Sequence, residues 1–363
     1  MSAPAAAGLD RTFVTAQRPD PIRLMIVDDS AVARAVLSRM LSLYKEFEIV
    51  AHAANADEAI EVLGRVSVDI VLLDVEMPGT NGLKALPDIL RLGKGARVLI
   101  VSSLCEEGAA AAVEALALGA ADTLPKPGSS HFSGRFSQVL AERLLRIRAA
   151  APAPVAVPAP ARTRPKPDQK IGCIAIGAST GGLHAIGELL KGLPPMVGVP
   201  ILVTQHLPPV FMPFFAQQLE AVSGRTVRVA TDGAALRPEE ILLAPGDAHL
   251  SLEQRGSRVV ATLNTASMPS GCMPSVDVML GAVASVYGPS AIGVVLSGMG
   301  RDGLAGAGAL ADRGGCVMVQ DRKSSAVWGM PRAVAEAGLA AEVLPPPALA
   351  RRIAERVTGG AWN

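Results

Sequence analysis

The chain has 363 residues, half of them hydrophobic, and this length favours two domains with enough apolar residues for each to bury a core. Its formal net charge is +1 without a basic stripe, which weighs against a nucleic-acid partner. Its four cysteines are widely spaced and form no CxxC pair, which fits free thiols in a reducing cytosol better than a disulfide framework or a zinc site.

The first segment of the chain, residues 1–21, is Ala-rich, and we expect it to be flexible. It carries Asp10, Arg11 and Arg18 and lacks the basic-then-apolar order of a signal peptide. No apolar run reaches the roughly 18 residues of a membrane span. The sequence therefore predicts a cytoplasmic protein without membrane insertion.

Short runs rich in Val, Ile and Leu alternate with helical patterns across residues 22–147. The predicted strands include Ile22–Val27, Ile70–Leu73 and Arg97–Val101, and Ala56–Val66 is a predicted helix. This alternation is typical of βαβ units around a buried parallel sheet, and it predicts a first α/β domain.

Residues 148–169 are rich in Ala and Pro, a composition that blocks helices and sheets and predicts a semi-rigid linker. The alternation then resumes and continues to residue 363. The predicted strands there are Ile171–Ile176, Ile201–Thr204, Ile241–Leu243, Ile292–Leu296 and Cys316–Val319, and the predicted helices are Ser275–Tyr287 and Pro331–Gly338. We expect two doubly wound parallel-sheet α/β domains, with sites at the carboxyl ends of their strands.

Three acidic residues directly follow strands of the first domain. Asp28 and Asp29 come after the first predicted strand, and Asp74 comes after Ile70–Leu73. Because the carboxyl ends of parallel strands share one edge, these carboxylates converge and repel one another unless a cation joins them. Mg²⁺ is the usual partner of such oxygen ligands, so the sequence predicts a magnesium site.

Two polar residues fall at later strand ends, Ser102 and Lys126. A hydroxyl and an ammonium there could hold the oxygens of a phosphoryl group on Asp74. Acids at strand ends also cap the helices that follow them, and for Asp28 alone this alternative is open. It is much weaker for all five positions together.

These residues belong to a set of motifs between residues 22 and 145. The motifs are Asp28-Asp29-Ser30, Asp74-Val75-Glu76-Met77-Pro78, Asn81-Gly82, Ser102 and Pro125-Lys126-Pro127. Together they resemble a response-regulator receiver domain, which has a flavodoxin-like fold. The resemblance implies that a histidine kinase phosphorylates Asp74. The implied Mg²⁺ site consists of Asp29, Asp74 and the backbone carbonyl of Glu76, with Asp28 beside them, and Ser102 and Lys126 would contact the phosphate.

Two positions depart from this family pattern. Asn81 stands where the family usually has Asp, and Thr123 stands where it often has an aromatic residue. Neither change touches the phosphorylation chemistry. Both bear on how the signal reaches the surface of the domain.

A glycine-rich turn follows the first strand of the second domain, in the sequence Gly177-Ala178-Ser179-Thr180-Gly181-Gly182. It fits G-x-S-x-G, in which small neighbours permit a tight strand-to-helix turn that exposes the serine. The positive end of the following helix would favour an oxyanion there. A packed turn without chemistry and a nucleotide-phosphate cradle are the alternatives, although G-x-G-x-x-G and the P-loop lysine are both missing.

An activated serine needs a base, and the second domain offers three histidines. His184 lies in the helix that follows Ser179 and would point away from the hydroxyl. His206 ends a predicted strand at the same sheet edge as Ser179, so we predict His206 as the base. His249 opens a likely strand and is the reserve candidate.

The base needs an orienting carboxylate, and Asp302 stands in the glycine-rich turn Ser297–Gly303 after Ile292–Leu296. In the same turn the backbone N–H of Met299 is a candidate oxyanion donor. A helix N-cap role is the alternative for Asp302. The order Ser, His, Asp differs from the Ser, Asp, His order of common α/β-hydrolases, which predicts a different fold.

The second domain carries further motifs in a fixed order. They are Ile176–Gly182, Gln205-His206-Leu207-Pro208, Ala244-Pro245-Gly246, His249-Leu250, Pro274-Ser275-Val276-Asp277-Val278, Ser297–Gly303 and Gly329-Met330-Pro331. These motifs resemble the Rossmann-like catalytic domain of chemotaxis protein-glutamate methylesterases. The resemblance implies a triad of Ser179, His206 and Asp302 that needs no cofactor. The implied substrates are γ-glutamyl methyl esters on the cytoplasmic helices of methyl-accepting chemoreceptors, with glutamine deamidation as a second activity.

This domain also departs from its family. Cys272 and Met273 stand where an aromatic residue and an arginine are usual, and residues 321–328 are unusually basic. We expect these segments to line the groove for a receptor helix and so to affect receptor choice. A phosphorylation-dependent binding protein with an inactive esterase half remains the alternative function.

Overall fold

The computed structural model describes residues 20–78, 81–102, 106–126, 134–149 and 170–358. The N-terminal segment and the Ala/Pro-rich linker fall almost wholly outside these residues, as does the side chain of Ser102. The predictions for them therefore stay predictions. None of the helices in the described residues combines the length and the apolar character that a membrane span requires.

The first sheet has five parallel strands in the order β2-β1-β3-β4-β5. The strands are β1 (Ile22–Val27), β2 (Phe47–Ala53), β3 (Ile70–Leu73), β4 (Arg97–Ser102) and β5 (Asp122–Pro125). The helices are α1 (Ala31–Leu41), α2 (Ala56–Leu63), α3 (Gly82–Leu92), α4 (Glu106–Ala117) and α5 (Gly134–Ala149). This strand order is that of flavodoxin-like folds, as expected. The apolar strand β3 is fully buried, because helices cover both faces of a parallel sheet.

The second sheet has seven parallel strands in the order β14-β13-β12-β6-β7-β9-β8, beside a separate hairpin of β10 and β11. The strands are β6 (Cys173–Ala178), β7 (Ile201–Gln205), β8 (Val227–Val229), β9 (Ile241–Leu243), β10 (His249–Arg255), β11 (Arg258–Asn264), β12 (Ala291–Val295), β13 (Cys316–Gln320) and β14 (Glu342–Leu344). The helices are α6 (Gly182–Lys191), α7 (Met212–Ser223), α8 (Val276–Tyr287), α9 (Leu304–Asp312), α10 (Met330–Glu336) and α11 (Pro346–Val357).

The chain leaves β6 toward β7 on one side of this sheet and returns to β12 on the other side. Doubly wound sheets bind their ligands at the carboxyl ends of the strands where the order reverses in this way. The turns after β6 and β12 hold Ser179 and Asp302, so both predicted catalytic residues lie at this switch point.

The predicted fold class, two parallel-sheet α/β units, is confirmed, with small differences in the bounds. Strand β6 runs two residues later than the predicted Ile171–Ile176, because its residues pair with β12 and β7 as far as Ala178. Helix α2 stops at Leu63, three residues before the predicted Val66, with Gly64 as its C-cap. Ser275, the predicted first residue of its helix, is instead the N-cap of α8.

The two sheets are joined by packing of α4 against α6 and α7, and one apolar cluster continues across this contact. Two hydrogen bonds tie the same surfaces together. Gly181 N–H donates to the Ala121 carbonyl at 2.8 Å, and His184 Nδ1 lies 2.9 Å from the Ala117 carbonyl oxygen. The first sheet unit therefore touches the turn that carries Ser179.

Candidate active site

Ser179 sits where β6 ends, in a turn held by backbone hydrogen bonds. Its N–H donates to the Ser297 carbonyl at 2.9 Å, and its own carbonyl accepts from Gln205 Nε2 at 2.8 Å. Gly181 has a φ of +73°, and a Cβ there would collide with the Ala326 side chain. The turn is thus filled by neighbouring side chains, which argues against a nucleotide-phosphate cradle.

His206 directly follows β7, and its N–H donates to the Ala178 carbonyl at 3.2 Å. Its side chain lies with Ser179 in the wall of a cavity of about 480 Å³. His206 Nε2 hydrogen-bonds Asp302 Oδ2 at 2.8 Å. Among the described residues no hydrogen bond joins Ser179 Oγ to the ring, a common state of catalytic pairs without substrate. Because Asp302 holds Nε2, a proton from Ser179 would have to go to Nδ1 if His206 is the base.

Asp302 is 2% exposed, and both of its carboxylate oxygens are fully engaged. Besides the His206 ring, Oδ2 accepts from Val276 N–H at 2.7 Å, while Oδ1 accepts from Ser275 Oγ at 2.7 Å and Asp277 N–H at 3.2 Å. The carboxylate therefore sits on the positive end of α8, which stabilises its charge. It does not cap α9, whose N-cap is Gly303.

These contacts shift the protonation of both partners. Burial alone would raise the pKa of Asp302, but hydrogen bonds from His206, Val276 N–H and Ser275 outweigh it and lower the pKa to about 2. Burial lowers the pKa of His206, but its hydrogen bonds to Asp302 and Cys272 outweigh burial and raise the pKa to about 9. Asp302 is therefore an anion in hydrogen-bond contact with the His206 ring, and its role as the orienting carboxylate stays a prediction.

His249, the reserve base, has a different position. It is fully buried, its Nδ1 accepts from Ser275 N–H at 3.0 Å, and its Nε2 donates to the Ala266 carbonyl at 2.8 Å. Both ring nitrogens are thus used to hold the segment before α8. His249 is a structural histidine that supports the residues around Asp302.

The backbone at Met299, the predicted oxyanion donor, lies one residue beyond Gly298, whose N–H donates to the Val327 carbonyl at 3.0 Å. No described residue accepts a hydrogen bond from the Met299 N–H. This N–H lies at the strand end beside Ser179 and can therefore donate to a substrate oxygen. Its role as an oxyanion donor stays a prediction.

A second candidate site lies at the carboxyl edge of the first sheet. Carboxylate oxygens of Asp28, Asp29 and Asp74 lie within 4.8 Å of one another. Lys126 Nζ contacts Asp28 at 2.9 Å and Asp74 at 2.6 Å. Burial raises the pKa of Asp74 despite the opposing effects of Lys126. Gly82 is required here, because a Cβ on it would collide with the Asp74 carbonyl oxygen.

The structure shows the surroundings of three further residues that the sequence analysis singled out in this domain. Glu76 lies in the exposed loop after Asp74 and donates its N–H to Asp74 Oδ1 at 3.3 Å. The Asn81 side chain caps α3 through Lys84 N–H at 3.0 Å, a role that Asp would serve equally. Thr123 is buried, and no described residue bonds its Oγ1.

The segments that depart from the family patterns lie in different places. Cys272 and Met273 line the cavity of Ser179 and His206, as expected. Arg322 and Lys323 instead line a separate cavity of about 920 Å³ beside the first sheet, together with Asp69 and Arg148. Residues 321–328 thus lie in two places, since Ala326 packs against Gly181 in the turn that carries Ser179. The expectation that this segment lines the groove for a receptor helix stays a prediction.

The sequence analysis assigns no role to three residues that support the site. Ser275 holds Asp302, Gln205 holds the Ser179 carbonyl, and Ser297 Oγ donates to the Thr180 carbonyl at 2.8 Å. All three are in motifs that the sequence displays. Their roles depend on contacts between segments distant in the chain, which spacing alone does not reveal.

Comparison with known proteins identifies both halves of the chain. Residues 174–353 match the family model for CheB methylesterase, and residues 24–131 match the response regulator receiver domain. The protein-glutamate methylesterase/protein-glutamine glutaminase 1 of Paramagnetospirillum magneticum is 37% identical over 91% of this chain and 95% of its own length. The corresponding protein of Thermotoga maritima is 37% identical over 93% of this chain and 98% of its own length.

A solved structure gives the same answer for the second half. The crystal structure of the Thermotoga maritima CheB methylesterase catalytic domain is 35% identical, covers 51% of this chain and 98% of its own, and superposes with a TM-score of 0.50. These matches confirm the family that the two sets of motifs predicted. The chain is thus a member of the CheB methylesterase family, with a response regulator receiver domain preceding the methylesterase domain.

Proposed function

We propose that the chain is a phosphorylation-activated serine esterase that hydrolyses glutamate methyl esters on chemoreceptors and deamidates receptor glutamines in the cytoplasm. The observation that carries this proposal is the His206–Asp302 hydrogen bond in the cavity that Ser179 lines. The names of the relatives support the substrate class. Residues 22–147 would form the receiver domain, residues 148–169 the linker and residues 170–363 the catalytic domain.

The proposed reaction is acyl transfer. His206 Nδ1 takes the Ser179 proton while Oγ attacks the ester carbonyl, and Asp302 stabilises the imidazolium that forms. The Met299 N–H holds the developing oxyanion, which is worth about 3–4 kcal/mol for a donor of this kind. Methanol leaves with the proton from His206, and water then cleaves the glutamyl-serine ester. With a glutamine substrate, ammonia leaves instead.

The receiver site would control this activity. Asp74 accepts a phosphoryl group from a histidine kinase, and Lys126 and Ser102 hold the phosphate oxygens. The clustered carboxylates of Asp28, Asp29 and Asp74 suit a hard divalent cation, and with the Glu76 carbonyl they would hold Mg²⁺. A bound Mg²⁺ neutralises the charge that the phosphate adds to this carboxylate cluster.

The contact between the domains supports control by occlusion. Leu116 and Ala121 of the receiver line the same cavity as Ser179 and His206. In this arrangement the receiver restricts access of a receptor helix to Ser179. Phosphorylation that weakens the contact by about 1–3 kcal/mol would change activity roughly 5- to 150-fold.

The direct test is methanol release from methylated chemoreceptor. The wild-type chain should release methanol, faster with a small-molecule phosphodonor. Ser179→Ala should release none, and Asp74→Asn should not respond to the phosphodonor. Ser285→Ala, an exposed serine on α8, is the matched control and should behave as wild type.

The alternative, a binding protein with an inactive esterase half, gives opposite results. It predicts no methanol release by the wild type, and receptor or kinase binding that Ser179→Ala leaves unchanged. Equal esterase rates with and without phosphodonor would leave the esterase in place but reject the control by the receiver.

A further inference from the structure

We propose that Cys272, His206 and Asp302 form a binding site for a thiophilic divalent cation such as Zn²⁺, and that its occupation stops ester hydrolysis. One potential ligand atom of each residue, the Cys272 sulfur, a His206 ring nitrogen and an Asp302 carboxylate oxygen, lies within 4.8 Å of the other two. Thiolate, imidazole and carboxylate are the ligands of protein zinc sites. The inhibition rests on the function proposed above, whereas the binding site does not.

The geometry needs only small adjustments. Zn²⁺ binds sulfur at about 2.3 Å and nitrogen or oxygen at about 2.0–2.2 Å, so the ligands of one ion lie roughly 3–4 Å apart. Cys272 sits on a half-buried loop after Gly271, whose φ is +67° and whose α-carbon faces open space. The Cys272 thiol donates a weak hydrogen bond to the Ser270 carbonyl at 3.7 Å, which it would give up to bind an ion. The cavity that Cys272 and His206 line gives the ion a path from solvent.

The charges also favour a cation. Asp302 is a buried anion whose other contacts are hydrogen bonds from Val276, Ser275 and Asp277. Since its Oδ2 already accepts from His206 Nε2 at 2.8 Å, a metal ion would take the place of the proton between these atoms. Three protein ligands leave the fourth tetrahedral position to water.

Metal binding inhibits hydrolysis because it changes which nitrogen of the His206 ring carries a proton. On binding, the Cys272 thiol and Nε2 of the protonated His206 ring each release a proton to solvent. The ring proton that remains is on Nδ1, so the ring has no lone pair to accept the Ser179 proton. The ion also breaks the hydrogen bond by which Asp302 orients the base.

This site differs in chemistry from the carboxylate cluster of the receiver. Asp28, Asp29 and Asp74 offer oxygen only, which suits Mg²⁺, whereas a thiolate and an imidazole select Zn²⁺ or Cd²⁺. Of the other free cysteines in the described residues, Cys173 and Cys316 are both buried. A thiophilic ion added in the presence of excess Mg²⁺ should therefore prefer Cys272 to Cys173 and Cys316. Every chain in the test carries Cys105→Ser, because Cys105 lies outside the described residues.

The test uses the full-length chain with Cd²⁺ as a spectroscopic probe and Zn²⁺ as an inhibitor, both in excess Mg²⁺. Titration of the wild type with Cd²⁺, without substrate, should produce an ultraviolet thiolate-to-metal absorption band. Cys272→Ser, which keeps a small polar side chain but removes the soft ligand, should lose this band. Met273→Leu changes the neighbouring cavity residue, which is 39% exposed, and should keep the band.

Zn²⁺ should inhibit wild-type methanol release, and a chelator should restore it. Each variant is normalised to its own rate without Zn²⁺, and the inhibition constant should rise at least tenfold in Cys272→Ser, as the loss of even an outer-shell partner can cost 10- to 100-fold. An equal Cd²⁺ band and equal inhibition in Cys272→Ser would overturn the site. A Cys272-dependent band in a chain without ester turnover would keep the metal site and reject the esterase.

Discussion

At the scale of single residues, the site depends on how Asp302 is kept ionised. Its four hydrogen bonds come from one histidine ring, one hydroxyl and two backbone N–H groups at the start of α8. A buried carboxylate without such donors would take up a proton and lose its hold on the imidazole. Ser275, which the sequence suggests only as a helix start, is thus a positioning residue for His206.

Ser275→Ala tests this role. It removes the 2.7 Å bond to Asp302 Oδ1 and leaves the three other donors. A hydrogen bond to a charged group is worth about 1.5–3 kcal/mol, so we expect kcat/KM for ester hydrolysis to fall at least tenfold. Ser285→Ala on the same helix is the control. Wild-type kcat/KM in Ser275→Ala would show that the bond does not matter.

The pH dependence of hydrolysis tests the His206–Asp302 pair. His206 must be neutral to accept the Ser179 proton, and its pKa is raised to about 9. Activity should therefore increase with pH, about tenfold per unit between pH 6 and 8. The measurement is kcat/KM against pH, with the rate of Ser179→Ala subtracted as background. A plateau that begins near pH 6.5 would contradict a raised pKa.

At the scale of elements, the N-terminus of α8 joins three segments of the catalytic domain. The helix begins after Ser275, its first N–H groups hold the turn after β12 through Asp302, and His249 at the start of β10 holds the Ser275 N–H. Unpaired N–H groups at a helix start need acceptors, and here the Asp302 carboxylate and the buried His249 ring provide them. The Pro-Ser-Val-Asp motif therefore connects the hairpin to the active-site edge.

His249→Leu tests whether His249 is structural or catalytic. The change leaves the Ser275 N–H and the Ala266 carbonyl without their buried partner, which costs about 2–3 kcal/mol, or roughly 4–12 °C in Tm for a domain of this size. We expect lower stability and lower activity but an unchanged midpoint in the pH profile, because His206 remains the base. His52→Leu, an exposed histidine of the receiver outside the interdomain contact, is the control. A shifted midpoint would indicate that His249 titrates in catalysis.

At the scale of the whole molecule, the two domains share a contact that reaches the catalytic turn. Helix α4 packs on α6 and α7, and the Ala121 carbonyl accepts from Gly181 N–H, two residues from Ser179. Asp74, the proposed phosphorylation site, lies at the carboxyl ends of the receiver strands, whereas Ala121 lies just before β5 begins. The control proposed above therefore requires a change at Asp74 to act across the receiver on this interface.

Leu116→Glu tests this contact. Leu116 is 5% exposed in α4 and lines the Ser179 cavity, so a carboxylate there should open the interface. We expect the unphosphorylated rate of methanol release to rise about 5- to 150-fold, toward the phosphorylated rate. Leu145→Glu, at a receiver position that is 40% exposed, should leave the rate unchanged. A Leu116→Glu chain that still takes up phosphate on Asp74 but stays at the wild-type rate would reject occlusion.

The amino-acid sequence by itself determined the fold class, most strands and which turns carry chemistry, because buried parallel strands are short apolar runs and their carboxyl ends share one edge. Only the tertiary structure decided which groups meet. It showed that His206 pairs with Asp302 through Nε2, that His249 is structural, and that Arg322 lies away from the cleft. It also brought Cys272 next to His206. These outcomes depend on contacts between segments far apart in the chain, and no local pattern encodes such distances.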